Sequence, residues 1–169
     1  MKQPTQTRIP GFVIRVAEKE DAGLILRFIK GLAEYEKLSH EVTATEELLR
    51  ETLFGARQVA EVAIGEYRGD AVAFALFFHN YSTFLGRPGI YLEDLFVKPE
   101  MRGLGFGKAL LAYLAKLATE RKCGRVEWSV LDWNSPAIRF YQKLGAVAKD
   151  EWTVHRLTGE ALDRLAKEF

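Results

Sequence analysis

The 169-residue chain carries 24 Lys and Arg against 23 Asp and Glu, a formal net charge of +1, so no global field draws it to nucleic acid or to an anionic membrane. Its one cysteine, Cys123, excludes an intrachain disulfide framework. A chain of this length folds as one domain that buries about 70% of its unfolded surface. The expectation is a single domain over residues 1–169, with residues 1–10 as a polar, flexible tail that lacks the apolar stretch of a signal peptide. No apolar run approaches the ~18 residues that a membrane helix needs, so the predicted location is cytoplasmic, with no membrane and no nucleic-acid partner.

Phe12 to Ala17 is short, alternating and β-branched, and predicts a first strand. From Asp21 to Glu36, Leu24, Ile25, Phe28, Ile29 and Leu32 form the apolar stripe of an amphipathic helix. Thr43 with Glu46 fits a capping box and predicts a second helix that stops near Gly55. Val59 to Tyr67 and Ala71 to His79 read as two strands joined by a turn at Arg68-Gly69-Asp70. Ser82 to Gly89 reads as a loop, Ile90 to Val97 as a strand, Gly105 to Arg121 as a helix and Arg125 to Leu131 as a strand. That strand-helix-strand unit implies a parallel pair with a crossover helix. Asn134 to Leu144 predicts a short helix with Asn134 as its cap, Pro136 in its first turn and Gly145 as its stop. Ala146 to Ala148 and Glu151 to Leu157 read as closing strands, and Thr158 to Lys167 as a terminal helix. The fold class is α/β.

The most specific stretch runs from Tyr91 to Leu111, where a strand passes through Arg102 and three glycines, Gly103, Gly105 and Gly107, into a helix. Glycines at alternate positions let backbone N–H groups converge on one anion at a helix start, where the dipole already favours negative charge. A phosphate or pyrophosphate is the natural occupant. The spacing fails a dinucleotide fingerprint, because Lys108 stands where a third glycine is required, and it fails a P-loop, because Ala109 stands where Ser or Thr is required. A tight turn into a helix is the alternative reading of the same glycines.

The pattern R-x-x-G-x-G, here Arg102, Gly105 and Gly107, resembles the acetyl-coenzyme A loop of the GNAT family of N-acetyltransferases. Asp132 to Gly145 (DWNSPAIRFYQKLG) is similar to that family's second signature. Tyr35-Glu36, Tyr91 to Asp94 and Asp132 to Asn134 are most similar to its diamine (spermidine/spermine) and thialysine branch. The resemblance covers residues 12 to 157. It implies a GNAT fold: a mixed, mostly antiparallel sheet with flanking helices and a central parallel strand pair that splays to admit pantetheine. It implies acetyl-CoA as co-substrate, bound by Leu95, Phe96 and Val97 on the strand, by Arg102, Gly103, Leu104, Gly105, Phe106, Gly107 and Lys108 in the loop, and by Asn134, Pro136 and Ala137. It also implies a homodimer. Tyr35, Glu36, Glu93, Asp94, Glu127, Trp128 and Ser129 match the acceptor-binding positions, although Trp128 and Ser129 differ from the residues of the diamine enzymes.

Acetyl transfer to an amine needs a base for the ammonium and a donor for the leaving thiolate. Tyr141 lies seven residues after Asn134, two helical turns, so both can face one groove. A phenol stays protonated at neutral pH and can donate to a thiolate, and by resemblance Tyr141 is the general acid. Packing beside Phe140 is the alternative, as an ordinary N-cap is for Asn134. Glu93 is the predicted base. It sits beside Asp94 in an otherwise apolar strand, where adjacent carboxylates are costly unless a cation or hydrogen bonds compensate. A regular strand would send the two to opposite faces, whereas a β-bulge could re-aim one of them. A structural carboxylate that caps backbone N–H groups or pairs with Arg is the other reading, and it applies more to Asp94. His40, His79 and His155 are too scattered to predict a metal site, and Cys123 reads as a structural thiol. The expected activity is acetyl transfer to a primary amine of a polyamine, diamine or lysine-like amino acid. The rivals are acetylation of a protein lysine or N-terminus, and a non-catalytic acyl-CoA sensor.

Overall fold

The computed structural model describes residues 3–169. These divide into two compact units, one ending at Ser129 and the other spanning Val130–Phe169. The first unit holds a six-stranded sheet in the order β1-β2-β3-β4-β5-β6. Its strands are β1 (Thr5–Gln6), β2 (Phe12–Val16), β3 (Glu61–Tyr67), β4 (Asp70–Ser82), β5 (Arg87–Val97) and β6 (Val126–Trp128). Neighbours are antiparallel except β5 and β6, which are parallel. Helix α1 (Ala22–Tyr35) and α2 (Glu46–Phe54) follow β2, and α3 (Phe106–Glu120) is the crossover between the parallel strands. The second unit holds α4 (Ser135–Lys143) and α5 (Gly159–Ala166).

The helices cover opposite faces of the sheet. Phe28 of α1 stacks on Phe74 of β4 at 5.2 Å, and Phe106 of α3 stacks on Phe12 of β2 at 4.2 Å. Both phenylalanine pairs lie in buried apolar clusters, which anchor the two layers. The approach of α1 to the sheet depends on Gly31, where a Cβ would lie 2.9 Å from the Phe96 ring. The β3–β4 turn has positive φ at both central residues, Arg68 (53°) and Gly69 (91°), the hand that matches strand twist.

Several expectations are corrected. Residues 5–6 fall in the stretch read as a tail, yet they pair with Val13 and Ile14 of β2; Met1 and Lys2 lie outside the described residues. The cap of α2 is Thr45, whose hydroxyl accepts from the Leu48 N–H, and not Thr43. Most of the predicted 82–89 loop is strand, because β4 and β5 pair out to Ser82 and Arg87. Strand β6 ends at Trp128, short of Leu131. Residues 146–148 and 151–157 form no strand, and most of their side chains are exposed. The parallel pair therefore lies at the edge of the described sheet and not at its centre.

Candidate active site

The β4–β5 register contains one irregularity. Leu76 pairs with Asp94 and Phe77 with Leu92, so Glu93 is an extra residue with no partner on β4. This is a β-bulge, which reverses the alternation of β5 at that point. Tyr91 pairs with Phe78 and Asp94 with Leu76. Because Phe78 and Leu76 are two apart on β4, Tyr91 and Asp94 share a face, which a regular strand would forbid to residues three apart. It is the face that α1 covers, since Phe74, in step with Leu76, stacks on Phe28.

Asp94 is largely buried there, and its carboxyl is pushed up to about 6, first by burial, then by the charge of Glu93 and then by that of Glu36. Burial also raises Glu36, the residue just past the end of α1. Among the described residues, none of these three carboxylates has a salt-bridge partner. The site is thus short of a cation.

The last turns of β5 carry a second feature. Lys98 N–H donates to Val72 O, so the neighbouring Val97–Ala73 pair is of the non-hydrogen-bonded kind. The N–H and C=O of Val97, and by the same alternation those of Leu95, point away from β4, to the side on which β6 runs. The β5–β6 ladder stops at Leu92–Trp128, so these groups have no ladder partner on that side in the described sheet. The Val97 carbonyl accepts from Arg102 Nε at 3.1 Å.

The loop after β5 has the form expected of an anion cradle. Gly103 (φ 80°) and Gly105 (φ 87°) adopt the left-handed conformation, and Gly105 opens α3. The first intrahelical bond runs from Ala109 N–H to Gly105 O, so the amides of Phe106, Gly107 and Lys108 have no acceptor within the helix. Gly107 is not required by packing: a Cβ there would meet only Val97 Cγ2, at 3.7 Å, an ordinary contact. Bare backbone at this position fits a phosphate-bearing co-substrate that approaches closely.

The remaining predicted residues separate into two groups. Tyr91 Oη and Ser129 Oγ are hydrogen-bonded at 2.8 Å across the parallel pair, and Tyr35 lies under the Arg102 guanidinium at 4.4 Å. Glu127, by contrast, is engaged by the protein: Asn80 Nδ2 donates to it at 2.7 Å, and Arg125 Nε forms an ion pair at 2.8 Å whose geometry is not that of a hydrogen bond. Gly89, between them in the sheet, has room for no side chain, since a Cβ would lie 2.3 Å from Asn80 Oδ1. Sequence reasoning missed Asn80 and Gly89, which only the strand register brings to Glu127, and Arg125, which stands two residues before it. In the second unit, the carboxamide of Asn134 is buried and accepts from Ala137 N–H at 3.3 Å as the cap of α4. Pro136 stands in the first turn of that helix. Tyr141 is half-buried, with its ring 5.3 Å from that of Phe140. A cleft of about 590 Å³ lies along the first half of α1, lined by Leu24, Arg27, Phe28, Lys98 and Met101 among others; of the predicted site residues it touches only Phe96. Among the described residues, no helix is long and apolar enough to cross a membrane.

A mixed sheet with one parallel pair, a bulge before the end of β5 and a glycine-rich turn into the crossover helix agree with the GNAT fold. Residues 29–146 match the model of the Acetyltransferase (GNAT) family. The chain is 44% identical to a thialysine N-epsilon-acetyltransferase of Bos taurus over 165 residues, covering 91% of this chain and 96% of that protein. It is 34% identical to an L-ornithine N5-acetyltransferase of Arabidopsis thaliana, covering 91% and 87% of the two chains. Among solved structures, an integron cassette protein from the mobile metagenome of V. cholerae superposes with a TM-score of 0.78 at 25% identity, covering 93% of this chain and 98% of that one. The chain belongs to the GNAT acetyltransferase family and is an acyltransferase.

Proposed function

We propose that the protein transfers the acetyl group of acetyl-CoA to a primary amine of a small cation: a diamine, a polyamine or a lysine-like amino acid. The observation that carries this reading is Asp94 on the α1 face with the charges of Glu93 and Glu36 acting on it, three carboxylates without a salt-bridge partner among the described residues. The names of the relatives from Bos taurus and Arabidopsis thaliana point the same way, since thialysine and ornithine are small amino acids with a second amine.

The cradle amides of Gly103 to Lys108 would hold the pyrophosphate, and Leu95 and Val97 would offer backbone hydrogen bonds to pantetheine. Phe96, Leu104 and Phe106 flank these groups, and Asn134, Pro136 and Ala137 are further co-substrate contacts by resemblance to the family. When bound, acetyl-CoA supplies the thioester carbonyl that the amine attacks. An alkyl ammonium of pKa near 10.4 leaves roughly one part in a thousand neutral at physiological pH. The Glu93–Asp94 pair takes its proton. Glu93 is the exposed residue of the bulge, and Asp94 raises the pair's proton affinity toward neutrality, where a base works best. As the carbon–nitrogen bond forms and the carbon–sulfur bond breaks, the Tyr141 hydroxyl gives its proton to the thiolate and recovers one from solvent. Tyr35, Trp128 and Ser129 border the acceptor. The same reading includes a homodimer and cytoplasmic residence.

The test is Tyr141→Phe. The acid role predicts a kcat about 10²-fold lower, with the amine KM within about twofold. An unchanged kcat would remove Tyr141 from the mechanism.

A further inference from the structure

Arg102 is the one charged residue of R-x-x-G-x-G, and its expected task is to meet the pyrophosphate. Its side chain also has partners within the protein. Nε donates to the carbonyl of Val97, the last residue of β5. The guanidinium carbon lies 4.4 Å from the centroid of Tyr35, the last residue of α1, and 5.8 Å from that of Phe96. The Nε bond fixes the plane of the guanidinium, and a planar, weakly hydrated cation stacks on an aromatic ring in a way an ammonium does not. Helix α1 can lie this close because Gly31 puts no Cβ against the Phe96 ring, where one would fall at 2.9 Å. Glu36 follows Tyr35 directly and is one of the charges acting on Asp94. The loop that would hold the co-substrate and the helix end that carries an acceptor carboxylate are therefore joined through one side chain.

We propose that Arg102 is a positioning residue for the amine acceptor: stacked on Tyr35 and bonded to Val97, it holds the end of α1, and with it Glu36, against the end of β5. This deepens the amine-acetyltransferase reading and rests on it. A residue that serves only as an anion ligand would affect acetyl-CoA alone and would be indifferent to Tyr35. A residue that acts through Tyr35 affects the amine, and its effect disappears once the ring is gone.

The experiment is a double-mutant cycle of Arg102→Gln and Tyr35→Leu, reading KM for the preferred amine and KM for acetyl-CoA separately, with thermal melts to establish that each variant is folded. Each single substitution is expected to raise the amine KM by about threefold or more, the range of a solvent-edge cation–π contact. The double variant is expected to be no worse than the poorer single. Tyr35→Phe keeps the ring, and on that background Arg102→Gln should cost as much as in the wild type. Amine effects that multiply, or a defect confined to the acetyl-CoA KM, would overturn the positioning role while leaving the amine reading intact. A wild-type protein that turns over no amine would overturn both.

Discussion

Replacing Asp94 by Asn should make the protein more stable at neutral pH, and by an amount that depends on pH. Asp94 is pushed up to about 6 from 3.8, chiefly by burial. The difference corresponds to about 3 kcal/mol between the two protonation states. A folded-state value above the unfolded one means that the folded chain binds the proton more tightly. The contribution to stability is therefore fully present below about 4 and is lost as pH rises through about 6. Asparagine has no charge to bury, so the stability of Asp94→Asn relative to wild type should climb by about 2–3 kcal/mol between pH 4 and pH 7. At about 2–4 °C per kcal/mol for a chain of this size, the melting temperatures should diverge by about 4–12 °C. Urea unfolding at several pH values reads the effect directly. Added salt should shrink the share due to Glu93 and Glu36 but not the share due to burial. Parallel stability curves for the two proteins, or a loss on substitution at pH 7, would refute the reasoning. A gain in stability together with a poorer amine KM would mark Asp94 as a group kept for function at the fold's expense.

Gly107→Ala should separate binding from folding. The added methyl has room, and alanine is the better helix residue by up to about 1 kcal/mol, so the melting temperature should hold or rise. Acetyl-CoA affinity by calorimetry should fall by about tenfold, about 1.4 kcal/mol, as the methyl occupies the cradle. Undiminished affinity would show that the glycine serves no ligand. Gly89→Ala should do the reverse: with a Cβ placed 2.3 Å from Asn80 Oδ1, overpacking should cost about 1–3 kcal/mol in urea unfolding, and an unchanged midpoint would mean that the Asn80–Glu127–Arg125 group is not rigid.

Much of the fold was legible because its signals are local. The apolar stripe of α1 needs only residues 21–36, and the Arg68-Gly69 turn needs only two adjacent residues that tolerate positive φ. The cradle was legible for the same reason, being a run of glycines at a strand-to-helix junction. Capping was nearly so. Thr43 and Thr45 both precede Glu46 and Glu47, and the backbone, not the pattern, chose Thr45. What escaped depends on register. The bulge could be named as a possibility, but that it falls on Glu93 and turns Tyr91 and Asp94 to one face is a property of the β4 pairing. The Asn80–Glu127 bond escaped because the two residues are remote in sequence and close only in the sheet, whereas the Arg125–Glu127 pair, two residues apart, was a local signal left unread. The Arg102–Tyr35 contact escaped because nothing in the chain order places Tyr35 beneath Arg102.

The most direct test of the central claim is acetyl-CoA-dependent release of free thiol against spermidine, putrescine, thialysine, ornithine, lysine and a lysine-containing peptide, compared at equal concentration. The account predicts saturable turnover with at least one small cationic amine, abolished or severely reduced by replacing Glu93 and Asp94 together with Gln and Asn. Turnover of the peptide alone, or acetyl-CoA binding with no thiol released by any of the amines, would contradict it.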